Sequence, residues 1–175
     1  MYNNEINNKN INTKKNYLII SIIIIIIIAF LVYDERGNSL EITKTDEKTI
    51  LQYLDTKTND INEAREGKMY SAFTILGTDK DKVYVYLSKE GYFKEEGKLG
   101  IESGVSLPVV LYIQNGKNGI EITNHKYPED GIGYVKSEKK LFPYYVRCEI
   151  KNNYNERADK LQKIIKNKAE KDFKN

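Results

Sequence analysis

Seven consecutive isoleucines, Ile22 to Ile28, sit inside the run Tyr17 to Tyr33 (YLIISIIIIIIIAFLVY) and leave that run no polar face. A helix that is apolar all round cannot lie on the surface of a globular domain. At ~1.5 Å per residue the run spans about 25 Å, slightly short of the ~30 Å hydrocarbon layer of a bilayer. Lys14 and Lys15 before it and Arg36 after it can snorkel to cover the deficit. Tyr17 and Tyr33 stand at the two ends, where amphipathic rings favour the headgroup level. Ser21 is the one polar side chain between them and can bond a carbonyl one turn earlier. The sequence therefore predicts a transmembrane helix over residues 17–33.

A cleaved secretory signal is the competing reading, since a basic stretch precedes the apolar one. It would need a small-residue cleavage site, and the nearest candidate, Gly37-Asn38-Ser39, lies beyond charged Asp34, Glu35 and Arg36. No cysteine lies near residue 30, which excludes lipoprotein processing. Lys9, Lys14 and Lys15 flank the N-terminal end, while the other end carries one Arg beside two carboxylates. That asymmetry keeps the N-terminus in the cytoplasm and puts the rest outside, as a signal-anchor does. Residues 1–16, polar and Asn-rich, read as a disordered cytoplasmic tail. Residues 34–42 read as a juxtamembrane spacer, and 43–175 as one extracytoplasmic domain.

The charges, 28 Lys and Arg against 25 Asp and Glu, are close to balanced, which argues against a nucleic-acid partner. They are unevenly placed, because residues 151–175 hold eight Lys/Arg against four Asp/Glu. That end is a solvated helix face or a contact for anionic wall polymer or headgroups. The lone Cys148 allows no internal disulfide, and its phase with Val146 and Ile150 marks a small buried hydrophobe rather than a nucleophile. Abundant Ile, Asn, Lys and Tyr without Trp fit an AT-rich, Gram-positive genome.

Periodicity gives the elements. Thr43 and Asp46 form a capping pair ahead of Ile50, Leu51 and Leu54 at helical spacing. The period then changes to two. Strands are expected at 69–77, at 83–87 with an extension past a bulge at Gly91, at 105–113 and at 120–127. Pro108 implies an edge or a strand entry, and Asn115-Gly116-Lys117-Asn118-Gly119 a hairpin. Residues 98–104 read as a Gly/Ser-rich loop. A short helix over 134–141 precedes a long amphipathic one carrying Leu161, Ile165, Ala169 and Phe173 every four residues. The expected fold is α+β, a helix on a curved four-stranded antiparallel meander in the cystatin-like or NTF2-like manner, followed by a C-terminal amphipathic helix.

No catalytic set emerges. The one histidine, His125, shares its phase with Glu121 and Thr123 and reads as a solvated residue on a polar face. There is no HExxH, CxxC or P-loop, so no metal site, cofactor or nucleotide site is expected. Gly131-Ile132-Gly133 lacks a third glycine and is no dinucleotide motif. Glu95, Glu96, Glu102, Glu129 and Asp130 are carboxylates that sequence cannot bring to one cleft. Fourteen tyrosines give amphipathic surface able to bind, or simply fill a half-buried sheet.

Five blocks occur in a recognisable order: Phe73-Thr-Ile-Leu-Gly-Thr, Val83-Tyr-Val-Tyr, Ser103-Gly-Val-Ser-Leu-Pro-Val-Val-Leu, Pro128-Glu-Asp-Gly with Tyr134, and Leu141-Phe-Pro143. With these, residues 65 to about 170 resemble an uncharacterised Firmicute extracytoplasmic domain found in small anchored proteins. The same blocks resemble the segment following the peptidase part of BlaR-type membrane sensor metallopeptidases. The family more often has Pro-Arg-Asp-Gly followed by two tyrosines, where this chain has Pro128-Glu129-Asp130-Gly131 and Tyr134 alone. The peptidase part and its zinc motif are absent. The resemblance implies a sensing module outside the cell, with Tyr127, Asp130 and Tyr134 as candidate ligand-binding residues. The expectation is a non-enzymatic, single-pass membrane protein that binds a membrane-protein partner, a wall component or a small molecule. A structural subunit of a secretion or conjugation complex and a wall-active hydrolase are the alternatives.

Overall fold

A computed structural model describes residues 16–29 and 39–174, which fall into two compact units, one within Met1–Asn38 and one within Ser39–Asn175. In the first, residues 16–29 form helix α1, its isoleucines exposed on every side. Ser21 Oγ donates to the Leu18 carbonyl at 2.8 Å, the back-bond expected of a hydroxyl in an apolar helix. Among the described residues, no helix is long and apolar enough to cross a membrane. The expected span runs on to Tyr33, and residues 30–33 lie outside the described residues. So do residues 1–15 of the expected tail and 34–38 of the expected spacer.

The second unit is α+β. Helix α2 (Lys44–Thr56) opens with the capping box foreseen from its sequence. Thr43 Oγ1 accepts from the Asp46 N–H at 3.2 Å, and Asp46 Oδ2 accepts from the Thr43 N–H at 2.9 Å. Four strands follow: β1 (Lys68–Asp79), β2 (Lys82–Glu95), β3 (Lys98–Gly116) and β4 (Gly119–Lys126). They form one antiparallel sheet in the order β1-β2-β3-β4. The register slips between Gly91 and Tyr92, where the bulge was expected. Pro108 pairs with Tyr86 just past the last β4 pair, Val110 with Lys126, so β3 has a strand neighbour on one side only there.

Residues 98–104 are strand rather than loop. Glu96 and Gly97 both take positive φ (49° and 79°), a tight turn that lets Lys98 pair with Glu95. Side-chain alternation on β2 then divides the core in two. Val83, Val85 and Leu87 pack with Val109, Leu111, Ile50 and Leu54 on the α2 face. Tyr84, Tyr86 and Tyr92 pack with Phe142, Val146, Leu161 and Ile165 on the other. Leu40 and Ile42 also pack against the α2-face cluster, so the end of the expected spacer belongs to the domain.

The second face is covered by a 3₁₀ turn (Gly131–Gly133), α3 (Tyr134–Leu141), α4 (Tyr144–Lys151) and α5 (Tyr154–Lys174). The shared phase of Val146, Cys148 and Ile150 marks Cys148 as buried, but the segment is helix α4. Val146 and Ile150 are buried there as an i,i+4 pair while Cys148 is only half-buried. Arg157 fixes the α4–α5 corner. Its guanidinium donates to the carbonyls of Glu149 (2.5 Å), Asn152 (2.6 Å) and Ile150 (3.2 Å), the unsatisfied acceptors at a helix end, and lies over the Tyr86 ring.

Candidate functional site

Strand β1 is a sheet edge, and its free side lies at the bottom of a groove between α2 and α5. Two side chains cap that edge. Lys168 Nζ donates to the Ser71 carbonyl at 2.7 Å, and Tyr145 Oη donates to the Thr78 carbonyl at 2.9 Å. The two-residue repeat of a strand turns the backbone groups of Phe73 and Ile75 to the same side as the Ser71 carbonyl that Lys168 caps. Among the described residues, no side chain bonds the backbone at Phe73 or Ile75. The groove over this stretch has a volume of about 600 Å³. Its apolar floor is Leu51, Phe73, Ile75 and Ile164, and its rim is Lys44, Lys48, Lys160 and Lys168 against the single carboxylate Glu47. A second groove continues from Leu51 and Lys168 toward Lys68, where Lys68 pairs with Asp172 at 2.5 Å.

The α2 face holds a separate polar cluster. His125 Nδ1 lies 3.0 Å from Tyr53 Oη, and His125 Nε2 lies 3.1 Å from both carboxylate oxygens of Asp60. Its side chain is only 11 % exposed, so the expectation of a solvated histidine is corrected. The reason is a register slip. Tyr112 pairs with Asn124 but Ile113 with Ile122, so Thr123 is an extra residue and the side-chain phase flips across it. His125 thereby joins the face of Ile122. Burial, reinforced by the Asp60 charge, raises the Tyr53 pKa and holds it as a neutral phenol. Beside this cluster, fully buried Lys89 donates to Thr58 O and Oγ1, both at 2.9 Å, and burial lowers its pKa. These contacts tie α2, the loop after it, β2 and β4 together.

The three residues implied by the family resemblance are dispersed. Tyr127 stacks on His125 (rings 6.3 Å apart, 16° between planes) and its hydroxyl reaches the Asp60 carbonyl at 3.3 Å. Asp130 is exposed ahead of the 3₁₀ turn and its side chain makes no cap hydrogen bond. Tyr134 opens α3, and its pKa is raised by burial and then by Glu138 and Tyr154. Tyr127 thus faces the α2 side and Tyr134 the α5 side. Of the carboxylates, Glu102 accepts the amides of Arg65 (2.6 Å), Gly67 (3.1 Å) and Glu66 (3.2 Å), anchoring the loop before β1 to β3. No group of three or more His, Cys, Asp or Glu among the described residues could hold a metal ion.

The groove was not foreseen from the sequence, because knowing that β1 is an edge requires the strand order. The signals that could have marked it are the lysines Lys44 and Lys48 on α2 and Lys160 and Lys168 on α5. Comparison of the chain with protein-family models, with curated proteins and with solved structures finds no match.

Proposed function

We propose that this chain is a single-pass membrane protein whose outer α+β domain is a non-enzymatic binding module. In this reading residues 17–33 anchor it, the N-terminus is cytoplasmic, and the domain faces outward to hold a protein partner or a wall or small-molecule ligand. An exposed helix of isoleucines is unfavourable in water by roughly 25 cal/mol per Å² of apolar surface, which supports an anchoring role for the first unit. The four-stranded meander with α2 on one face supports the cystatin- or NTF2-like comparison, and the sensing role follows from the resemblance of residues 65–170.

The observation that carries the binding role is the open stretch of β1 at Phe73 to Ile75, floored by apolar side chains and rimmed by lysines. Edge strands are usually blunted or covered, and one left open in a groove is a site for another molecule. The test is photo-crosslinking on intact cells, with the crosslinker at Ile164 and a control at exposed Lys139. A specific adduct at Ile164 alone, together with a C-terminal tag reachable from outside, is the expected result. Equal labelling at both positions would remove the groove from the account, and an inaccessible tag would overturn the topology.

A further inference from the structure

We propose that the β1 groove takes an extended, acidic–apolar segment of a partner protein, which adds to the sheet as a fifth strand alongside Phe73 to Ile75. This rests on the binding role proposed above and names the chemistry of its ligand. Three features lead to it. The capped carbonyls of Ser71 and Thr78 bracket a stretch whose outward backbone groups have no partner among the described residues, and an incoming strand satisfies such groups by pairing. Above and below that stretch the groove offers different walls: Leu51, Phe73 and Ile75 toward α2, and Ile164 toward α5. An added strand sends alternate side chains to opposite faces, so apolar side chains at every second position meet Leu51, Phe73 and Ile75, while those between them face Ile164 and Lys160.

The third feature is charge. Lys44, Lys48 and Lys160 are exposed, and among the described residues none of them is in an ion pair. They meet one carboxylate, Glu47, so the rim selects Asp or Glu on the incoming segment. The same rim disfavours a second copy of this chain, because β1-to-β1 pairing would bring two sets of these lysines together. A simple polyanion would satisfy the lysines but leave the backbone of Phe73 and the apolar floor unused.

The test uses the full chain in detergent micelles and a fluorescein-labelled decapeptide of alternating Val and Glu. A twin of that peptide carries N-methyl groups on alternate amides, so its charge is unchanged while its pairing edge is blocked. The expected result is binding of the first peptide at least tenfold tighter than of its twin. The triple reversal Lys44→Glu, Lys48→Glu, Lys160→Glu, all at exposed positions, should weaken it about tenfold further. Equal binding of the twin would overturn strand addition, and so would full displacement by inorganic polyphosphate. A concentration-dependent dimer that the peptide dissolves would assign the edge to self-pairing and overturn the proposal. Should the decapeptide fail to bind while the Ile164 crosslinker still captures a partner on cells, the acidic-strand inference falls and the binding role stands. Failure of both removes both.

Discussion

The two edges of the sheet are finished differently. At β4, eight residues long, the edge is tied down from the α2 side. Asp46 Oδ1 accepts the Ile120 N–H at 2.9 Å, and His125 is clasped between Tyr53 and Asp60. At β1, twelve residues long, two helices stand on either side but do not close over Phe73 to Ile75. At β4 the Ile120 donor is held by α2, whereas at β1 the stretch from Phe73 to Ile75 lies open between lysines. A sheet edge costs solubility unless it is managed. The contrast therefore supports the proposal that β1 is the interaction edge, with β4 tied into the domain.

The largest expected effect comes from removing the residue that closes β4. Asp46→Ala removes the reciprocal half of the capping box, worth up to about 1 kcal/mol, and leaves a buried N–H at Ile120 unpaired, worth a further ~1–3 kcal/mol. Urea unfolding should show a loss of about 2–4 kcal/mol, with Asp46→Asn recovering part of it; a loss below ~0.5 kcal/mol would break the contrast. Gly119 supports the same contact, since at φ 127° a Cβ there would come within 2.5 Å of Asp46 Oδ1. His125→Ala should cost less, about 1–2 kcal/mol, because its partner Asp60 is exposed enough to be rehydrated. Amide exchange should rise in β4 and stay unchanged in β1.

Acid should weaken the Asp46 contact at the β4 edge. The Ile120 N–H, and with it the Thr43 hydroxyl and amide, holds the Asp46 carboxyl below its usual range despite its burial. A depressed folded-state value means the stabilisation is fully present above the unfolded value of about 3.9 and is lost as pH falls through the lower folded one. The unfolding free energy of the parent should therefore drop through that acid window, and that of Asp46→Asn should drop less. Parallel curves would remove Asp46 from the acid response. The smallest effect belongs to β1: Lys168→Met frees the Ser71 carbonyl to solvent and should shift stability by less than about 1 kcal/mol.

Much of this fold was legible from local pattern. The Thr43–Asp46 capping box, the Gly91 bulge, the Gly116–Gly119 hairpin and the four-residue repeat of α5 are all short-range signals, and each is present. Helix α4 was not legible, because Val146, Cys148 and Ile150 fit a strand's alternation as well as a helix's i,i+4 spacing. What distinguishes the two is packing, with Val146 and Ile150 against Tyr84, Tyr86 and Leu161, and Arg157 holding the α4 carbonyls. His125 was misplaced because a single extra residue, Thr123, reverses the phase of everything after it. The groove was hidden for a topological reason: its walls come from residues 44–51, 72–75 and 160–168, and no local window contains them.

The contrast between edges is tested most directly by residue-resolved amide hydrogen exchange on the unliganded full chain. The Phe73 amide should exchange fast, while the Ile120 amide, held by Asp46, should be strongly protected. Protection at Phe73 equal to that at Ile120 would mean that β1 is already closed, and the binding edge would have to be sought elsewhere.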